Sequence, residues 1–260
     1  MEPELSTHDI SELRFLVQQG EPLPVRLGSC SLAGAVHLAC SGWLWQQSRS
    51  PAFATFRGWL EDPRLALAWE ALTSNRSAGV DYAAHAAEIL TVTDEDSQAR
   101  FANRFRKSLE EIGGFSASEA RGLAGALQEL ADNVTQHSGP AVMAPASGVM
   151  AYEVSHERFT FAVGDIGRGA LASLHDNPHW TALQSEEEAL RAILEQNASR
   201  RRVGPGMGFR NAVRALADLG QLSVGSGDAY SDVVADARGR TGAAGRRAPL
   251  PGVQVALARP

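Results

Sequence analysis

The spacing of apolar and polar residues changes character about a third of the way along the chain. In the first part, residues 34–47 carry too few charges for a surface helix, so a mostly buried helix is predicted there. A second helix is predicted at residues 63–73, because Asp62 can cap it and a proline follows directly. With a short helix at residues 12–19 and a strand at residues 24–27, this pattern predicts a small α/β layer.

The second part of the chain alternates helical and strand patterns. An amphipathic helix is predicted at residues 97–112, and a longer one at residues 117–137, with Ser116 and Glu119 forming a capping box at its start. Residues 238–252, rich in Gly, Arg and Pro, are expected to form a mobile loop. This order of elements predicts an α/β sandwich with helices on one face of a mixed, mainly antiparallel sheet. The remaining predicted elements are helices at 186–196 and 207–219 and strands at 150–154, 159–163, 222–224, 230–234 and 253–257.

The length of 260 residues indicates two domains. We place the boundary in the polar, acidic segment 91–98, which gives a smaller α/β domain at residues 1–92 and a larger one at residues 97–260. The net charge of -6 gives no attraction to nucleic acid or to an anionic membrane, and no apolar run approaches the ~20 residues that span a bilayer. Only two cysteines occur, Cys30 and Cys40, so we expect reduced thiols and a cytoplasmic protein rather than a disulfide framework or a zinc site.

The helix predicted at residues 117–137 carries a polar stripe. Glu129, Asn133 and His137 are spaced four residues apart, so they lie along one side of the helix. A carboxamide oxygen suits Mg²⁺, and a carboxylate one turn away can orient or deprotonate a hydroxyl nucleophile. The stripe therefore predicts a candidate site, and a solvated polar face is the alternative for such common spacing.

Two glycine-containing segments follow this helix. The strand predicted at residues 159–163 runs into Asp165, Gly167 and Gly169, where a carboxylate at the strand end can accept a hydrogen bond from an exocyclic amine; an ordinary tight turn is the alternative. Further on, the arginines at 200–202 precede glycines that lead straight into a helix, an arrangement that favours an anion. A flexible loop with a helix cap is the alternative for that segment.

In this order, the three segments resemble the N, G1 and G2 boxes of the GHKL ATPase superfamily, nearest its anti-sigma-factor and serine-kinase type. The resemblance covers about residues 97–260. It implies a Bergerat-type α/β sandwich that binds ATP and Mg²⁺. The residue roles that it implies are Mg²⁺ binding for Asn133, the general base for Glu129, adenine contacts for Asp165 with Gly167 and Gly169, and phosphate contacts for Arg202, Gly204, Gly206, Met207 and Gly208.

The chain departs from that family at its last strand. The family often opens this strand with Gly-Thr, whose hydroxyl helps to hold adenine through water. Here the pair is Gly252-Val253, so this hydroxyl is missing and the resemblance also allows a domain that binds nucleotide without catalysis.

The first part of the chain resembles a STAS domain only faintly, in the step from residues 25–27 through Cys30 into an apolar helix. STAS domains are the phosphorylatable partners of the serine-kinase branch. A structural cap or an interaction module is the alternative.

Two classes of function remain open from the sequence. The first is an ATP-binding enzyme, either an ATPase or a protein serine/threonine kinase acting on a protein partner. The second is a non-catalytic switch in which ATP changes a partner-binding surface, and a homodimer is compatible with both. A sensor histidine kinase is disfavoured because residues 97–112 contain no histidine to accept a phosphoryl group.

Overall fold

The computed structural model describes residues 30–74, 78–82, 85–92, 94–137, 148–196, 220–236 and 239–259, together with the single residues 13, 16, 24 and 198. Within these ranges, residues 78–82, 135–137 and 234–251 are described by their backbone alone.

The described strands form one six-stranded sheet in the order β1-β2-β3-β4-β6-β5. Neighbouring strands pair antiparallel throughout, so the expected mixture with parallel pairs is absent from the described strands. Three of the five pairs are hairpins, in which consecutive strands joined by a short connection must reverse direction. The strands are β1 (Ala78–Tyr82), β2 (His85–Val92), β3 (Gly148–Ser155), β4 (Arg158–Asp165), β5 (Gln221–Asp236) and β6 (Gly239–Arg259).

Seven α-helices are described, and their ends follow local capping signals. The capping box predicted at the start of the long helix is confirmed: Glu119 accepts a hydrogen bond from the backbone N–H of Ser116 at 2.8 Å, and the Ser116 hydroxyl accepts one from that of Glu119 at 3.3 Å. The preceding helix begins two residues earlier than predicted, because Asp94 accepts from the N–H of Ser97 at 2.8 Å. The helices are α1 (Leu32–Gln47), α2 (Ala52–Trp59), α3 (Pro63–Ser74), α4 (Glu95–Glu111), α5 (Ala117–His137), α6 (Gly169–Leu174) and α7 (Glu186–Gln196).

Helices α4 to α7 pack on one face of the sheet. Aromatic rings form the centre of this core, where Phe105 on α4 contacts Tyr152, Phe159 and Phe161 with centroid distances of 5.1, 6.3 and 5.7 Å. The strand residues that face these helices alternate along β4 and β3, as pleating requires. The α/β sandwich predicted for residues 97–260 requires helices on one face of the sheet, and α4 to α7 lie on this face.

Helices α1 to α3, from the first part of the chain, cover the opposite face of the same sheet, so the sheet carries helices on both faces. Ala151, Ala162 and Ala256 of the sheet belong to a second core with α1 and α3. Small side chains on that face let α1 approach closely, and the burial of residues 32–42 explains why this helix carries no charged stripe. In the described residues, no helix is both long and apolar enough to cross a membrane.

The sheet also corrects the predictions for two stretches. Strands β1 and β2 were not predicted, and β2 pairs with β3, so strands from both sides of the predicted boundary at residues 91–98 share one sheet. Residues 239–246, expected in a mobile loop, lie in β6 and pair with β5 in a long hairpin. Pairing satisfies the backbone there, which a local reading of Gly and Pro content does not reveal.

Candidate functional site

Asp165 is the last residue of β4, and it lies on the sheet face that α4 to α7 cover. Phe161 and Val163 belong to the core on that face, and side chains two residues apart in a strand point the same way. The Asp165 carboxylate therefore lies at the end of the strand, in line with the apolar side chains of Phe161 and Val163. Only 6% of Asp165 is exposed, so this charge-bearing group is buried.

Backbone amides from two segments hold the Asp165 carboxylate. Its Oδ1 accepts a hydrogen bond from the N–H of Gly167 at 2.7 Å, and its Oδ2 accepts one from the N–H of Val253 at 2.9 Å. The backbone carbonyl of Asp165 accepts a third hydrogen bond from Nε2 of Gln254 at 2.8 Å. The end of β4, the following turn and the neighbouring part of β6 are thereby joined at one side chain.

Gly252 is necessary for this arrangement. Its φ is +57°, and a Cβ at this position would lie 1.8 Å from Oδ1 of Asp165. Its N–H also donates to the carbonyl of Gly167 at 3.0 Å, which closes the turn after β4 against β6. The glycine that precedes Val253 is thus required by close approach to the carboxylate, as well as by its backbone conformation.

Burial dominates the electrostatics of this carboxylate. Desolvation raises the pKa of Asp165 to about 7, although the hydrogen bonds from the N–H groups of Val253 and Gly167 lower it. A buried carboxyl group whose pKa is raised towards neutral pH is typical of functional positions as well as of structural networks.

The carboxy-terminal part of α5 reaches the same end of the sheet. Gly148 of β3 pairs with Asp165, and the point where a Cβ on Gly148 would lie is 2.8 Å from Cγ1 of Val134 and 3.1 Å from Cα of Asp165. Asn133 and Glu129 are half-buried on α5 beside the buried Val134. The structure therefore brings Val134, next to Asn133 in the carboxy-terminal part of α5, close to the end of β4.

Gly169 takes a backbone conformation that favours glycine, with φ +85°, and begins α6. The first turn of this helix is held by side chains that the sequence analysis did not single out. Ser226 on β5 accepts from the N–H of Ala170 at 2.7 Å, and Glu186 on α7 accepts from that of Leu171 at 3.1 Å. One feature of the sequence could have indicated Ser226. It lies between two glycines, at a position where the alternation of the strand predicts an apolar residue.

The predicted phosphate-binding residues Arg202, Gly204, Gly206, Met207 and Gly208 lie outside the described residues. The described part of the chain contains no cluster of three His, Cys, Asp or Glu side chains suited to a metal.

Comparison of the chain with protein-family models, with curated proteins and with solved structures gives no match.

Replacing Gly252 with alanine is expected to lower the free energy of unfolding by about 2 kcal/mol or more, because the new Cβ displaces the Asp165 carboxylate and strains the backbone. Urea denaturation measures this change. The matched control is Gly122→Ala on α5, where a Cβ meets no other atom within 4 Å. That substitution should raise the free energy of unfolding by up to about 1 kcal/mol. Equal effects of the two substitutions would contradict the close contact at Gly252.

The titration of Asp165 should appear in the pH dependence of stability. Its folded pKa of about 7 lies above the ordinary value of 3.8, so the folded state binds more protons between these pH values. The free energy of unfolding contributed by this group therefore falls as the pH rises from about 4 to about 7, and then levels off. In Asp165→Asn, denaturation curves across this pH range should show a shallower fall than in the wild type. Asp96→Asn, at an exposed position of α4, controls for the loss of one carboxylate, and identical pH profiles for Asp165→Asn and the wild type would contradict the assignment.

Proposed function

We propose that this chain is a cytosolic regulatory protein of GHKL type that binds ATP and Mg²⁺ and either hydrolyses the nucleotide or transfers its γ-phosphoryl group to a serine or threonine of a partner protein. The observation that carries the proposal is the meeting of α5 and the end of β4 on one face of an antiparallel sheet. It supports a site that would combine the carboxamide of Asn133 and the carboxylate of Glu129 with the buried Asp165, as the resemblance in the sequence implies.

Asp165 is the proposed contact for the adenine amine. Each of its carboxylate oxygens accepts one backbone hydrogen bond, which leaves a second lone pair on each oxygen for a ligand donor. The two backbone donors fix the direction of the carboxylate before any ligand arrives. This preorganisation reduces the entropy that binding would otherwise cost.

Asn133 is the proposed Mg²⁺ ligand, and Glu129 the proposed general base. The two half-buried side chains lie one helical turn apart, so both can be directed at one bound phosphate group. When bound, Mg²⁺ would neutralise charge on the phosphates. Glu129 would orient a water molecule or a partner hydroxyl and take up its proton.

A second function is favoured by the residues around Asp165. Val253 stands where GHKL ATPases often have a threonine, so its side chain offers no hydroxyl for the adenine, although its N–H donates to Asp165. A domain of this kind can bind ATP and change the surface that it offers to a partner without turning the nucleotide over. Measured binding without hydrolysis or phosphotransfer would favour this switch.

The role of the amino-terminal part is a separate proposal. Residues 30–74 supply three helices that cover the second face of the sheet, in line with a structural cap or an interaction module. Ser31 caps α1 by accepting a hydrogen bond from the N–H of Gly34 at 3.1 Å, so this hydroxyl serves the helix start. The faint likeness to STAS domains remains a prediction.

Calorimetric titration with ATP and Mg²⁺ tests the binding site. Asn133→Ala and Asp165→Asn should each weaken MgATP binding by about tenfold or more, since each removes a contact to a charged or buried polar group. Glu129→Gln should keep the affinity and lower any turnover by about 100-fold. Asn103→Ala, an exposed amide on α4, is the matched control and should bind like the wild type.

Equal affinity in the wild type, Asn133→Ala and Asp165→Asn would overturn the site. Far-ultraviolet circular dichroism on each variant shows whether a weakened Asp165→Asn protein is still folded, which its structural hydrogen bonds make necessary to check.

A further inference from the structure

Two side chains from distant parts of the chain meet beneath the first turn of α6. The Oγ of Ser226 on β5 lies 2.8 Å from Oε2 of Glu186 on α7, and Ser226 is fully buried. A hydroxyl has one proton to donate, and the carboxylate is the closer and stronger acceptor than the carbonyl of Gly252 at 3.3 Å. The lone pairs of Oγ then remain for a donor, which is the N–H of Ala170 at 2.7 Å.

Glu186 completes the arrangement from the other side. Its Oε2 accepts the N–H of Leu171 at 3.1 Å together with the Ser226 proton. Consecutive backbone amides of α6 are therefore held by one serine and one glutamate, which belong to two other elements. We call Ser226 and Glu186 the α6 clamp.

Two glycines make room for the α6 clamp. A Cβ on Gly169 would lie 2.9 Å from Oε1 of Glu186, and a Cβ on Gly227 would lie 2.5 Å from its Cγ. Both glycines have positive φ, and the pairing of β5 with β6 shifts register at Gly227. Ser226 itself still pairs in regular register with Val253, so its side chain lies on the same sheet face as Val224, and the irregularity begins directly after it.

The α6 clamp adjoins the turn of residues 165–169 that follows β4, which we call the Asp165 turn. The turn after β4 ends at Gly169, the clamp holds the residues that follow it, and Gly252 links the two because it lies against both Asp165 and the Ser226 hydroxyl. Asp165 fixes the beginning of the segment 165–171, while Ser226 and Glu186 fix its end. A segment tied at both ends presents its backbone and its carboxylate in one conformation.

We propose that Ser226 and Glu186 are positioning residues for nucleotide binding, which hold the segment 165–171 in the conformation that receives the adenosine part of ATP. This inference rests on the proposed function and assigns roles to residues that its motifs do not include. Both act through the segment that they hold, and neither contacts the nucleotide. Loss of the clamp should therefore weaken ligands that contain adenosine and spare the binding of the phosphate chain alone.

The experiment compares MgATP with Mg²⁺-tripolyphosphate by calorimetry, on the full chain, at a temperature where circular dichroism shows every variant folded. Ser226→Ala deletes one oxygen atom and both of its hydrogen bonds. Glu186→Ala removes the carboxylate, and Glu186→Gln restores an oxygen that can accept from both Ser226 and Leu171. Glu187→Ala is the control, because this neighbouring carboxylate is in a solvent-exposed ion pair with Arg191 in the same helix.

Ser226→Ala and Glu186→Ala should weaken MgATP binding by about tenfold and leave tripolyphosphate binding within about twofold of the wild type. Glu186→Gln and Glu187→Ala should bind both ligands nearly as the wild type does. If Glu186→Ala does not fold, Ser226→Ala decides alone, since it is the smaller change.

Unchanged MgATP affinity in folded Ser226→Ala would overturn the positioning role. An equal loss of affinity for both ligands would overturn it too, because a general loss of structure weakens both. These outcomes require a wild type that binds MgATP. A wild type that binds no MgATP would instead overturn the proposed function itself, so the two failures are distinguishable.

Discussion

The arrangement of this end of the molecule depends on one buried carboxylate accepting backbone hydrogen bonds from two segments. Asp165 joins the end of β4 to the turn after it and to Val253 of β6, next to the residues where β6 begins to pair with β4, and Gly252 provides the space. Burying a carboxylate is costly unless donors surround it, so the two amides and the chain path that brings them are required together. The geometry of the candidate site follows from that requirement, because the same side chain is the proposed adenine contact.

Local signals in the sequence predicted the parts of the fold that depend on neighbours in the chain. The capping box at Ser116 determines the start of α5, and the apolar runs at residues 150–154 and 159–163 predicted strands that lie in β3 and β4. Such local signals do not predict the pairing of strands that are distant in the chain. Strand β2 and residues 239–246 of β6 are strands because partners across the sheet satisfy their backbones, although the composition of the latter stretch suggested a loop.

The residues of the candidate site also fall into two groups: those that local sequence indicates and those that only the fold brings together. Asp165, Gly167 and Gly169 could be found because an aspartate and glycines at the end of an apolar strand form a compact motif. Ser226 and Glu186 could not, since 40 positions separate them and only the fold brings their side chains within hydrogen-bond distance. In the structure, the carboxylate of Asp165 holds the beginning of the segment 165–171 and the α6 clamp holds its end. Residues beyond a motif can in this way determine the conformation in which the motif is presented.

Hydrogen–deuterium exchange with and without MgATP tests most directly whether α5 and the Asp165 turn form one nucleotide site. The account predicts that saturating MgATP slows exchange in residues 129–134 of α5 and in residues 165–171 together, with the same midpoint along one titration. Slower exchange in only one of these segments, or in neither, would contradict the account.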